Sequence, residues 1–298
     1  LCNLFLRRPL LPSKSVSCEK HACLSIAIPP GAKLFSMNFL PRPCAFLHAL
    51  FLLACMEIHD IGQMHSVAYG FKIDHMCGRY VMNHRPRQLE EFYNASFVPD
   101  TGMHFNIAPG SRILVLRDRA EERTGEIMRW GLVPSWVQDP GSLPMLHNAR
   151  SETIAEKPMF RHALRKQRCL IPASGFYEWK AVSGQRSKQP FYISLKDGAP
   201  MSFAGLWEST RMPDGSVLES CTIITTEANT MLAPIHNRMP VLLDHNDWSL
   251  WLDSAPLQQE QLKALLKPLI ADNIQVWGVS HAVNKAGNDS SALIEPIA

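Results

Sequence analysis

Between Arg112 and Thr225 the chain is cut into short apolar segments by turn-forming residues. Arg112–Arg117, Ile127–Leu132, Arg168–Ala173, Gly175–Lys180, Pro190–Leu195, Ser202–Trp207 and Leu218–Thr225 are rich in β-branched or aromatic residues. Gly, Pro, Asp or Ser bounds them, so each reads as a strand. Few long helical stretches come between them, which disfavours a doubly wound parallel sheet. The pattern predicts an α+β fold: a single domain around a curved, open, barrel-like, mostly antiparallel β core with peripheral helices. Arg87–Asn94 and Asn246–Asp253 read as helices. So does Pro256–Leu269, where Leu257, Leu262, Leu265, Leu266 and Leu269 mostly repeat at helical spacing behind an initial proline.

This pattern belongs to residues 76–298. Residues 1–75 hold five of the eight cysteines without any framework. Their apolar run Pro43–Cys55 is shorter than the roughly 20 residues a bilayer needs. It imitates the core of a signal peptide, yet neither a small-residue cleavage site nor a disulfide-rich domain follows. Cys18 and Cys23 lack a second pair at zinc-like spacing. We read 1–75 as an upstream or non-native extension that is not part of the mature protein. The remainder keeps only Cys77, Cys169 and Cys221, which suits a reducing, cytoplasmic setting. It carries 23 basic and 23 acidic residues, so a nucleic-acid partner would have to be recognised by a local patch. A Walker loop, a dinucleotide glycine fingerprint, HExxH and G-x-S-x-G are all missing, which removes the commonest nucleotide, metalloprotease and esterase readings. No metal and no cofactor is expected.

Met76-Cys77 is the sharpest chemical signal. If translation starts at Met76, removal of that methionine exposes a cysteine with a free α-amine and a free thiol. Such a 1,2-aminothiol closes on an aldehyde to a five-membered thiazolidine; an internal cysteine cannot. An α-amine has a pKa near 8, so a useful fraction is neutral at pH 7. The plain alternative is a small buried side chain. Glu178 lies in the aromatic run Gly175-Phe-Tyr-Glu-Trp179, where alternation places it with Phe176 and Lys180, opposite Tyr177 and Trp179. Against apolar walls it could serve as general acid and base; otherwise it is a surface residue on a strand edge. His236 sits between Pro234 and Pro240 in a constrained loop, either as a proton carrier or as a hydrogen-bonded loop residue. Asn148 and Arg150 offer amide hydrogen bonds and a phosphate fork, or else a loop in which Ser151 caps a helix. Trp130 and Trp136 could stack on bases or fill the core.

In order, Met76-Cys-Gly-Arg-Tyr80, Asn106-Ile-Ala-Pro-Gly110, Arg129-Trp-Gly-Leu-Val-Pro-Ser-Trp136, Asn148-Ala-Arg-Ser-Glu152, Gly175-Phe-Tyr-Glu-Trp179, Ile223-Ile-Thr-Thr-Glu-Ala228, His236-Asn-Arg-Met-Pro240 and Val279-Ser-His-Ala-Val-Asn284 resemble the SRAP family, the SOS response-associated peptidases or abasic-site processing proteins. The resemblance covers 76–298 and none of 1–75. It implies a domain that senses abasic sites in single-stranded DNA. The amino-terminal cysteine captures the ring-opened aldehyde in a stable thiazolidine crosslink that shields the lesion. It also implies a self-processing peptidase (hydrolase) or lyase-type activity. By motif, Cys77 is the nucleophile, Asn148 holds the reacting groups, Glu178 shuttles protons and His236 helps open the deoxyribose ring. Arg79, Arg150 and Arg238 match phosphate-gripping positions, and Lys157 lies near another. Pro109 and Trp136 match a base-packing region, where Val137 replaces a second aromatic found in some members. A monomer associated with the nucleoid rather than with membrane is expected. Two alternatives stay open: a thiol peptidase using Cys77 and His236 in trans, and a noncovalent single-strand binder.

Overall fold

The computed structural model describes residues 77–297 apart from 121, 138, 140, 142 and 270. The chain divides into Leu1–Gly70 and Phe71–Ala298. The reading of 1–75 as an extension lies outside the described residues.

In chain order the strands are β1 (Tyr80–Met82), β2 (His104–Ile107), β3 (Arg112–Arg119), β4 (Glu122–Trp130), β5 (Asn148–Arg150) and β6 (Arg168–Ala173). They continue with β7 (Gly175–Lys180), β8 (Gln189–Leu195), β9 (Met201–Arg211), β10 (Val217–Glu227), β11 (Arg238–Pro240) and β12 (Ile274–Gly278). Four α-helices lie among the described residues: α1 (Pro86–Tyr93), α2 (Pro158–Lys166), α3 (Trp248–Leu252) and α4 (Gln259–Leu265).

The mixed α+β architecture expected from the sequence is present. Strands β4, β3, β6, β9 and β10 follow one another in antiparallel pairings. A short parallel pairing of β10 with β4, Ser220↔Arg129 and Cys221↔Trp130, then joins the ends. The ring is therefore closed rather than open. Closure leaves β3, β6 and β9 with few exposed positions on either face. A Cβ at Gly205 would come within 2.8 Å of Cys169 Sγ, so β6 and β9 pack closely only because that side chain is missing.

The second sheet, ordered β12-β8-β7-β1-β2, is antiparallel throughout. One face packs Tyr80, Phe176 and Ile193 into the main core. The other packs Val81, Tyr177 and Tyr192 against Val279, Val283 and Leu293. Tyr80 meets Trp130 and Phe203 edge-on, with ring centroids 5.4 and 6.0 Å away, and so ties β1 to the barrel. Truncating a buried aromatic of this kind costs about 3–5 kcal/mol.

The helices differ from the expected spans for local reasons. Helix α1 begins at Pro86 and stops at Asn94, which takes a left-handed conformation. The Asn246–Asp253 segment splits into a 3-10 turn, His245–Asp247, followed by α3. The Pro256–Leu269 helix shrinks to α4, because Pro268 disfavours helical backbone at Lys267. Helix α2 was not anticipated: it starts with Pro158 immediately after a turn. Ser151 caps no helix; its N–H donates to Thr225 O.

Candidate active site

Strand β1 brings the start of the domain onto the central strand of the second sheet. Its antiparallel register with β7, Tyr80↔Phe176 and Val81↔Gly175, sets Gly78 across from Glu178 when continued outward. Tyr177 N donates to Arg79 O at 3.0 Å and holds that end of the ladder. Gly175 permits the register: a Cβ there would lie 2.5 Å from Ile193 O and from the Tyr192 ring.

The nitrogen of Cys77 donates to Oε1 of Glu178 at 2.7 Å. Here that nitrogen belongs to the Met76–Cys77 peptide bond, so it stands where an α-amine would be if the chain began at Cys77. Cys77 is 3 % exposed and Glu178 only 2 %. Glu178 is thus no strand-edge surface residue. As the alternation predicted, it shares the face of Phe176, away from Tyr177 and Trp179. Burial disfavours the carboxylate and raises its pKa from 4.5 to about 7, although the contacts with Cys77 pull the other way. Its second oxygen, Oε2, is buried without a hydrogen-bond partner among the described residues. That oxygen lies 3.9 Å from His236 Nδ1. The Cys77 thiol is pushed well up by burial and then by the neighbouring Glu178, so it stays protonated at neutral pH. Cys77 is also held at φ 42°, a left-handed conformation that costs a non-glycine residue roughly 1–3 kcal/mol.

His236 arrives from the loop before β11. Its Nδ1 accepts the Arg238 N–H at 3.1 Å. The same Nδ1 also lies 3.4 Å from Arg238 O. At its carboxyl end β10 takes β11 on one side and β5 on the other, through Thr225↔Pro240 and Thr225↔Arg150. Asn148 enters on β5, half-buried and paired with Ile223. The buried Arg238 guanidinium grips Glu152 through two bonds of 2.6 and 2.9 Å and donates to Thr225 O at 2.7 Å. That ion pair fastens the segment after Asn148 to the segment after His236.

The structure joins Cys77, Glu178 and His236 through direct contacts, with Arg238 fastened to the His236 loop. Arg79 is half-buried, and Arg150 and Lys157 are exposed, Lys157 at the start of α2. Pro109 is half-buried in the turn after β2, and Trp136 is 55 % exposed. Trp130 is core and donates its indole N–H to His147 O. Sequence reasoning gave no role to Glu152 or Asn106; only their places within quoted motifs signalled them. No group of three His, Cys, Asp or Glu side chains among the described residues could hold a metal. A cleft of about 580 Å³ beside Phe92, Trp248 and Leu265 is lined by other residues than Cys77, Glu178 and His236. No described helix is long and apolar enough to cross a membrane.

A family model described as SOS response associated peptidase (SRAP) matches residues 76–286. The chain is 40% identical over 224 residues to abasic site processing protein YoqW of Bacillus subtilis, covering 74% of this chain and 99% of that one. It is 34% identical over 218 residues to abasic site processing protein HMCES of Pongo abelii, covering 63% of this chain and 61% of that one. A crystal structure of a Bacteroides thetaiotaomicron protein superposes with a TM-score of 0.66 at 24% identity, covering 74% of this chain and all of that one, a likeness of fold. A Bordetella bronchiseptica protein superposes at 0.59 with 28% identity, over 68% of this chain and 100% of that one. Both the sequence motifs and the β architecture that gathers them lead to one assignment: the chain belongs to the SRAP family.

Proposed function

We propose that this protein captures abasic sites in single-stranded DNA by forming a thiazolidine between the lesion aldehyde and an amino-terminal Cys77. The observation that carries this reading is the 2.7 Å contact between the Cys77 nitrogen and Glu178 Oε1. An amine nucleophile needs a base at nitrogen, and the same carboxyl also meets the Cys77 side chain, where the thiol must later give up its proton. A carboxyl with a pKa of about 7 can both accept and return a proton there. The relatives named abasic site processing proteins support the same substrate class.

The chemistry runs in three steps. At the closed sugar His236 gives a proton to the ring oxygen, the bond from that oxygen to the anomeric carbon breaks, and the anomeric hydroxyl returns a proton to the imidazole, which leaves the aldehyde and an unchanged histidine. The neutral α-amine adds to the aldehyde carbon, and Glu178 supplies the proton with which the carbinolamine loses one water as it becomes an iminium. The thiol sulfur then bonds to the iminium carbon while its proton passes to the Glu178 carboxylate. One carbon–nitrogen bond and one carbon–sulfur bond form, and the net loss is one water. Single-stranded DNA presents the sugar without the cost of unpairing. Arg79 and Arg150 bind phosphates, Trp136 and Pro109 support neighbouring bases, and Asn148 orients the reacting sugar. Lys157 adds positive charge at the edge of the path. Arg238, with its guanidinium on Glu152, keeps the His236 loop in register.

Self-processing fits the same geometry. Hydrolysis before Cys77 adds water to the Met76 carbonyl carbon as the carbon–nitrogen bond breaks, and Glu178 can supply the proton that the departing Cys77 nitrogen takes up. The left-handed strain at Cys77 ends once no peptide bond precedes it. A thiol peptidase acting in trans is disfavoured because burial and Glu178 keep the thiol protonated.

The test uses single-stranded DNA with one abasic site and protein beginning at Cys77, with Cys77→Ala and the full 298-residue chain alongside. A heat-stable shifted band on a denaturing gel is expected only when Cys77 is amino-terminal. A band from a chain whose intact mass retains every residue before Cys77 would refute the mechanism.

A further inference from the structure

Asn106, at the head of Asn106-Ile-Ala-Pro-Gly110, and the whole of Val279-Ser-His-Ala-Val-Asn284 have no part in the chemistry above. In the structure they meet at Arg79. Nη1 of Arg79 donates to Asn106 Oδ1 at 2.9 Å and to Val283 O at 3.1 Å. Asn106 is buried, and its amide Nδ2 faces three carbonyls: Val283 O at 3.2 Å, Lys285 O at 3.1 Å and Asn288 O at 2.8 Å. Three acceptors around one nitrogen fix the amide orientation, so Oδ1 must point at the guanidinium. Trp179, on the far face of β7 from Glu178, holds the same segment by donating its indole N–H to Asn284 Oδ1 at 2.7 Å.

The consequence is directional. Both Nη1 hydrogens of Arg79 are used within the protein. Among the described residues nothing pairs with its Nε or Nη2. The Nε–Nη2 edge is a two-pronged donor that matches two oxygens of one phosphate. A guanidinium tied at Nη1 presents that edge without first surrendering rotamer freedom on binding.

We propose that Asn106 is a positioning residue: braced by the Val283–Asn288 segment, it fixes Arg79 so that its Nε–Nη2 edge takes one DNA phosphate beside the lesion. This inference rests on the abasic-DNA reading. It assigns Asn106 and the Val283–Asn288 segment to substrate binding, although neither touches the nucleic acid.

The experiment measures equilibrium binding of abasic single-stranded DNA across a salt series, using protein beginning at Cys77. The variants are Arg79→Ala, Asn106→Ala, Asn106→Ser and the double change Arg79→Ala with Asn106→Ala. Asn106→Ser keeps a polar group in the buried site but is too short to reach Arg79, and circular dichroism melting checks that each variant folds. Loss of one phosphate contact should lower the slope of log K against log salt by about 0.7. Affinity should fall about tenfold for Arg79→Ala and nearly as much for either Asn106 variant. The double variant should lose no more than Arg79→Ala alone. Adduct formation with free 2-deoxyribose, which bears no phosphate, is read by intact mass and should be unaffected by the Asn106 variants. Arg79→Ala weakening binding while folded Asn106 variants bind like the parent would overturn the inference and leave the DNA reading standing. So would equal losses on DNA and on 2-deoxyribose, because a general disturbance of the site would then explain them. An unchanged salt slope in Arg79→Ala would overturn the phosphate role of Arg79 itself, and the inference with it.

Discussion

Replacing Glu178 by Gln tests the feature on which the site chemistry depends. Gln keeps the size of the side chain and an oxygen to accept the Cys77 N–H, but it cannot titrate. Burial raises the Glu178 pKa from its usual 4.5 to about 7. At about 1.4 kcal/mol per pH unit, that rise corresponds to roughly 3 kcal/mol. Below about pH 4.5 the carboxyl is protonated in the folded and the unfolded chain alike, and its burial as an anion is never required. As pH climbs toward 7 the unfolded chain releases its proton first, and the folded state loses stability relative to it. Above 7 the loss is complete. The stability of Glu178→Gln minus that of the parent should therefore increase by about 3 kcal/mol between pH 4.5 and 8.5. Urea unfolding of the 298-residue chain at fixed ionic strength, followed by tryptophan fluorescence and circular dichroism together, measures this difference. Other titrating groups appear in both proteins and cancel. Stability curves that stay parallel within about 0.5 kcal/mol over the whole range would show that Glu178 is an ordinary carboxylate, and the proton shuttle assigned to it would fall.

In the form beginning at Cys77, an ammonium beside Oε1 would favour the carboxylate; the midpoint of the same pH profile should then move below 7, and an unmoved midpoint would mean that the amine does not sit on Glu178. Gly175→Ala should destabilise by more than about 3 kcal/mol and abolish crosslinking, since the added carbon would sit 2.5 Å from Ile193 O on the pairing that carries Glu178; a soluble variant of parental melting temperature would contradict this. Arg238→Ala removes three charge-assisted bonds, two to Glu152 and one to Thr225 O, and should cost about 2 kcal/mol in urea unfolding and slow crosslinking. The discount from a higher figure reflects Glu152, whose side chain is 43 % exposed and already screened by water. Arg150→Ala, at an exposed position, should leave stability within about 0.5 kcal/mol and lower the salt slope of DNA binding by about 0.7; an unaltered slope would take Arg150 out of the DNA path.

Local sequence alone determined a good deal. The segments from β3 to β10 with six or more residues are strands close to where β-branched and aromatic enrichment places them, except β4, which runs Glu122–Trp130 rather than Ile127–Leu132 because its first half is set by pairing with β3. The side of β7 on which Glu178 falls followed from the two-residue repeat. Strands β1, β2, β5 and β11 have only three or four residues, too few for a repeat to show, and these strands gather much of the site. Their existence depends on partners far away in the chain: β1 on β7, β5 and β11 on β10. Residue type marked Cys77, Glu178 and His236 as able to do chemistry, but each also had a bland reading of comparable standing. Tertiary structure alone shows that Cys77 and Glu178 are buried in contact with each other and that His236 lies beside them. Proton affinity is set by burial and by neighbours, and the nitrogen that Glu178 touches is 101 positions away in sequence. The same holds for Arg79, whose free edge is decided by an asparagine 27 residues on and a carbonyl 204 residues on. Propensity acts over a few neighbouring residues and is written locally. Desolvation, register and the aim of a guanidinium are properties of what the folded chain brings together, and no stretch of the sequence carries them by itself.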